Sequence, residues 1–112
     1  MLESRSEKLL CRRIKEAGGW AIKLVSPGNA GVPDRLVLLP GGRVIFVELK
    51  QEKGRLSPLQ RETHRRLEEL GMDVRTLYGR DQVLDFVEEE VIADALQALS
   101  ISGSGKAVDS GS

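Results

Sequence analysis

Asp34 is followed, after thirteen intervening residues, by Glu48-Leu49-Lys50. Two apolar runs separate and carry these charges: RLVLL at 35–39 and VIFVELK at 44–50. Both read as buried strands, and charge beside a buried strand is costly unless something compensates it. Side chains alternate along a strand, so Glu48 and Lys50 share one face and Leu49 takes the other. The hairpin register then decides where Asp34 falls. A two-residue Gly41-Gly42 loop would set it opposite Leu49. A three-residue Pro40-Gly41-Gly42 loop pairs Leu39 with Arg43 and sets Asp34 opposite Glu48. Pro40 suits the first turn position and Gly42 the left-handed residue that closes such loops, which favours the second register. It also pairs Leu36 with Phe46 and Leu38 with Val44 on the site face, and Val37 with Ile45 on the other.

Two facing carboxylates repel unless a proton or a cation intervenes. Oxygen donors from two carboxylates and a neighbouring strand carbonyl suit a hard divalent ion, and Mg²⁺ fits best because water and substrate oxygens complete its shell. Lys50 beside such an ion could position or deprotonate an attacking water. A Glu–Lys ion pair at an exposed sheet rim would also account for charges at a strand end; the Pro33-Asp34 turn opposite favours the catalytic reading. Glu7 precedes Leu10, Cys11 and Ile14 by three, four and seven residues, which puts it on the stripe of a helix that faces the core. It is either a first-turn acid favoured by the helix dipole or a third carboxylate aimed at the same ion, and the strand-end constellation favours the second.

The elements that must position these groups follow from pattern. Residues 4–17 read as a helix stopped by Gly18-Gly19, and 20–25 as a first strand. SPGNAGVP at 26–33 is a loop. Strand two spans 34 or 35 to 39, and strand three 43 or 44 to 50. Ser57-Pro58-Leu59-Gln60 is a helix start with a capping box, and the helix carries Leu59, Thr63, Leu67 and Leu70 on one stripe before Gly71. Residues 74–78 form a fourth strand. Asp81 caps a last helix with Val83, Phe86 and Val87 inward and an acidic Glu88-Glu89-Glu90 run on its solvated face. Residues 91–99 continue it. The fold class is α/β: a three-layer α-β-β-β-α-β core with a mixed sheet flanked by helices and an extra C-terminal helix. The domain is expected over 1–99, with a disordered Gly/Ser-rich tail over 100–112.

With 112 residues there is room for one core. Seventeen basic residues balance seventeen acidic ones. No global field therefore pulls the chain onto nucleic acid, and a polyanion must be gripped by local clusters. Cys11 is alone, which rules out an internal disulfide framework and reads as a small core residue. No apolar run approaches membrane-spanning length and the charged start does not read as a signal peptide, so a cytoplasmic setting, bacterial or in a phage-infected host, is expected.

The string GVPDRLVLLPGGRVIFVELK, with SPGNA before it and GRLSPLQ after it, resembles the VRR-NUC branch of the PD-(D/E)XK nucleases, which share a restriction endonuclease-like fold. The resemblance covers roughly residues 5–88. It implies that Asp34 and Glu48 are Mg²⁺ ligands, with Mn²⁺ as a substitute, and that the Leu49 backbone carbonyl is a third ligand. It implies that Lys50 is the catalytic lysine, that Glu7 matches the first-helix acidic ligand, and that Gln60 matches the glutamine at the start of the second helix. Gln60 is equally the capping-box residue, so a structural role and a catalytic one stand level. Arg35 falls on the opposite face, in a structural place.

The expected activity is phosphodiester hydrolysis in DNA, leaving a 5′-phosphate and a 3′-hydroxyl. Lys23, Lys53, Arg55, Arg61 and Arg65 are the candidate DNA contacts. His64 could join that rim and is read as a solvated helix residue with no ligand role. Stand-alone relatives resemble homodimeric Holliday-junction resolvases, so branched DNA and a homodimer are expected partners. Val91, Ile92, Leu96 and Leu99 would either form the subunit contact or pack on their own core. A sequence-specific restriction-type enzyme is a lower-ranked alternative, since no insertion is long enough to read many bases. The other is a non-catalytic DNA-binding module, against which the intact Asp34, Glu48 and Lys50 speak.

Overall fold

A computed structural model describes residues 4–108. Helix α1 spans Arg5–Glu16. Ser4 caps it and Glu7 returns the bond, so the two satisfy each other's exposed N–H groups. Strand β1 is Trp20–Lys23, β2 is Arg35–Leu39 and β3 is Arg43–Lys50. Helix α2, Pro58–Glu69, is capped by Ser57, with Pro58 in the first turn. Strand β4 is Asp73–Tyr78. Helix α3 spans Gly79–Val108.

The sheet order is β1-β2-β3-β4. The first three strands run antiparallel and β4 lies parallel to β3, so α2 is the crossover between them. In the β2–β3 hairpin Leu39 pairs with Arg43 and Arg35 with Val47, the register of a three-residue loop. Both Gly41 and Gly42 adopt φ of +87°, which any side chain there would oppose.

Alternation sorts the sheet into two faces. One face presents Ala21, Val37, Leu39, Ile45, Val47 and Leu77, which are buried against Leu9, Leu10 and Ile14 of α1 and Val83, Phe86 and Val87 of α3. Cys11 and Leu49 pack at the edge of this cluster. The other face carries Phe46, Glu48, Lys50 and Tyr78, and α2 lies over it. The stripe expected to bury α2 is only partly the one that does, with Thr63 and Leu67 half-buried. Leu59 is 54% and Leu70 74% exposed, while His64 is buried. The reason is that the sheet beneath this helix presents charged groups as well as apolar ones, and the helix turns its polar side chains toward them. Coverage stops short of the far end of this face, where Trp20 and Val44 remain exposed.

The last helix differs from expectation at both ends. It begins at Gly79, with Asp81 in the first turn. Its start is held by the Gln82 side chain, which accepts the Tyr78 N–H at 2.8 Å. It runs to Val108, past residue 99 where the domain is expected to end. Residues 109–112 of the tail expected beyond that point lie outside the described residues. Glu88 and Glu89 are exposed, but Glu90 is buried. It is ion-paired with Arg43 on β3 and with Arg75 on β4, the latter at 3.0 Å, so it fastens α3 to the sheet rather than facing solvent.

Candidate active site

At the end of the hairpin β2 and β3 part. The Asp34 carbonyl accepts the Leu24 N–H at 2.9 Å, which keeps its backbone on the β1 side. Its side chain bridges the gap instead, Oδ2 accepting the Leu49 N–H at 3.0 Å. One step beyond the Arg35–Val47 pair, this sets the Asp34 carboxylate against that of Glu48.

Glu48 is 2% exposed. Its Oε2 accepts Gln60 Nε2 at 3.1 Å and lies 3.9 Å from Lys50 Nζ. Its Oε1 lies 3.8 Å from His64 Nε2. Burial, then the charge of Asp34 and a hydrogen bond with it, push the Glu48 carboxyl up to about 8. Lys50 pulls the other way and the more distant Glu7 adds to the rise. Near neutral pH a proton thus remains on Glu48, in its hydrogen bond with Asp34.

Gln60 makes two contacts at once. Its Oε1 accepts the Ser57 N–H at 2.9 Å in the capping box, and its Nε2 donates to Glu48. A glutamate would complete the same box but would present a carboxylate to Glu48, so the amide is what joins the two tasks.

His64 is not solvated, as expected from its charged neighbours, but buried against Glu48. Burial holds its pKa below the usual histidine value. The available signal was its spacing: four residues after Gln60, it falls on the same helix face.

Glu7 stands elsewhere. Its Oε1 accepts the Ser4 N–H, and its Oε2 lies 3.4 Å from Nε of Arg35. Arg35 lies on the core face by alternation and is 4% exposed, so it requires a counter-ion, and Glu7 supplies it. Asp34 and Glu48 thus face each other, while Glu7 is engaged by Arg35 and Ser4 at a distance from which its charge is still felt at Glu48. Among the described residues, no three acidic, histidine or cysteine side chains stand together as a ready metal centre.

The donor set that remains still suits a hard divalent cation. Asp34 and Glu48 offer carboxylate oxygens beside the Leu49 main chain, and Glu48 Oε1 is buried with no hydrogen-bond partner. A cation there would replace the proton on Glu48 and use that oxygen.

The basic candidates separate in the same way. Arg65 is neutralised by Glu62, at 2.6 Å, and by Glu69. These two acids on its own helix share its charge, which leaves it less to offer a phosphate. Lys23 pairs with Arg35 in the β1–β2 register, so it lies on the face away from Glu48. Lys53, Arg55 and Arg61 are exposed on the site side. Arg55, Leu56, Arg61 and Tyr78 line a hollow of about 240 Å³. Tyr78 pairs with Lys50 across β3 and β4, so this hollow adjoins the site. Sequence reasoning passed over Tyr78, because its neighbour depends on the parallel register of β4.

Known proteins resemble this chain in both sequence and fold. The profile of the VRR-NUC domain family matches residues 2–81. A protein of Acyrthosiphon pisum secondary endosymbiont phage 1, named "Putative nuclease p44", is 47% identical over 79 residues, covering 70% of this chain and 85% of the relative. A solved structure described as a VRR-NUC domain superimposes with a TM-score of 0.71 at 35% identity, covering 75% of this chain and 91% of the other.

Proposed function

The chain belongs to the VRR-NUC domain family and is a nuclease, and from that premise we propose that it is a Mg²⁺-dependent DNA endonuclease acting on branched substrates. The observation that carries the metal reading is the Asp34–Glu48 pair beside Lys50, with Glu48 buried and its carboxyl pushed up to about 8 by that burial and by Asp34. Asp34, Glu48 and the Leu49 carbonyl would hold the ion. Mg²⁺ bound there supplies Lewis-acid chemistry, drawing charge from the phosphoryl group and easing loss of a proton from water.

The protein's own groups do the rest. Gln60 fixes the Glu48 carboxylate through Oε2. Lys50, on the same strand face, orients the attacking water and accepts its proton or balances charge as it develops. Asp34 is held at Oδ2 by the Leu49 N–H, which fixes its carboxylate beside that of Glu48. Lys53, Arg55 and Arg61 form the phosphate track alongside. Hydrolysis in this arrangement leaves a 5′-phosphate and a 3′-hydroxyl.

A branched substrate calls for two sites. Ile92, Leu96 and Leu99 are 53%, 60% and 69% exposed, so they do not pack on their own core. Spaced by four and three residues along α3, they form a stripe suited to a two-fold helix contact. Sedimentation of wild type and Leu96→Asp checks this: a dimer that becomes a monomer supports it, and a monomeric wild type rejects it. Among the described residues no helix is long and apolar enough to cross a membrane, and the phage relative accords with action in a host cytoplasm.

The deciding experiment offers labelled four-way junction, flap and linear duplex to wild type and Lys50→Ala, with Mg²⁺ or EDTA. Cutting of branched DNA that needs metal and falls by several orders of magnitude in the variant is expected. An unchanged rate for Lys50→Ala would show the mechanism to be wrong, and site-specific cutting of linear duplex would favour a restriction-type enzyme.

A further inference from the structure

With Asp34 and Glu48 read as cation ligands, a buried donor beside them still lacks a partner. A carboxylate oxygen that binds a cation keeps a second lone pair to offer it. Glu48 Oε1 and His64 Nε2 are both buried without a hydrogen-bond partner. They face each other at 3.8 Å. An unsatisfied buried polar group costs about 1–3 kcal/mol, so an imidazole here is a poor choice for packing alone, and a leucine would fill the place more cheaply. The other oxygen of the same carboxylate already accepts Gln60 Nε2. Gln60 and His64 are four residues apart on α2 and project from one face toward one carboxylate.

We infer that His64 is a positioning residue for the nuclease reaction: its Nε2–H is given to Glu48 Oε1, so that Gln60 and His64 grip both oxygens of a metal ligand from a single helix. The inference rests on the reading of Glu48 as a ligand. A carboxylate held at both oxygens loses the freedom to rotate away from the cation. Such supporting contacts set the orientation of the ligands they touch, and their removal commonly weakens metal binding about 10–100-fold. His64 touches neither substrate nor the reacting atoms in this arrangement; it acts through Glu48.

The test is calorimetric titration of Mn²⁺ alone into the full chain, without DNA, for wild type, Glu48→Ala, His64→Leu and His64→Gln. The leucine keeps the volume and loses the donor. The glutamine places an amide nitrogen close to where Nε2 stands. Loss of about 10–100-fold in affinity for His64→Leu, with most of it recovered in His64→Gln, is expected. A folded His64→Leu that binds like wild type overturns the inference, as does a His64→Gln no better than His64→Leu.

Should His64→Leu fail to fold, long-range ¹H–¹⁵N spectra of the wild type decide. A protonated Nε2 supports the donor role. An unprotonated Nε2, as in a direct metal ligand, overturns it. Wild type that binds no Mn²⁺ removes the ligand reading and the grip together. Binding lost in Glu48→Ala but intact in His64→Leu removes the grip alone.

Discussion

Glu48 holds a proton at a pH where an ordinary carboxyl has lost it. Its value is raised from 4.5 to about 8 in the folded, metal-free protein, chiefly by burial and then by Asp34. Between those values the folded state binds a proton that the unfolded chain does not, so stability falls as pH rises. The contribution is complete below about pH 4.5 and is lost as pH passes through about 8. Melting of the EDTA-treated protein should therefore drop to lower temperature from pH 5 to pH 8.5, and Glu48→Gln should flatten the profile. A flat wild-type profile would contradict the retained proton. The same proton competes with the cation: apparent metal affinity should rise about tenfold per pH unit up to 8 and level off above it.

At the scale of elements, α2 organises the site. Its first turns bring Gln60 and His64 onto Glu48, and its distance from the loop before β2 is set by a glycine. A Cβ on Gly31 would stand 2.4 Å from Thr63 Oγ1 and 2.6 Å from the Leu59 carbonyl oxygen. The second is backbone and cannot rotate aside, so the helix must move. Gly31→Ala should cost about 1–3 kcal/mol, read as a lower melting temperature, and should lose activity beyond what partial unfolding explains. An alanine variant of wild-type stability and rate would mean that α2 does not depend on this approach. The opposite face is secured differently, through Glu90 between Arg43 and Arg75 and through Arg75 over the Phe86 ring.

For the molecule as a whole, net charge is zero, so affinity for DNA depends on which basic groups remain uncommitted. Arg55 and Arg61 line the hollow next to Lys50. Arg65 is already paired with Glu62 and Glu69. In metal-free binding assays at several salt concentrations, Arg55→Ala and Arg61→Ala should each reduce the steepness of log K against log salt by about 0.9, whereas Arg65→Ala should leave it nearly unchanged. Equal slopes for all three variants would remove the proposed track.

Local chemistry made much of this legible from sequence. The capping box at Ser57, the Pro40-Gly41-Gly42 turn and period-two alternation in β2 and β3 each follow from a few adjacent residues, and the turn and the alternation together put Asp34 on the side of Glu48. What one sequence could not decide was which partner a long or polar side chain takes across elements. Glu7 lies on the inward stripe of α1, as its spacing says, but whether it meets the Asp34–Glu48 pair or Arg35 depends on how α1 sits on the sheet. His64 reads as solvated among charged neighbours and becomes buried only because the crossover lays α2 over Glu48. Periodicity fixes which face a residue takes; only tertiary packing fixes what that face meets, because buried polar groups settle on whichever counter-charge comes within a few ångströms.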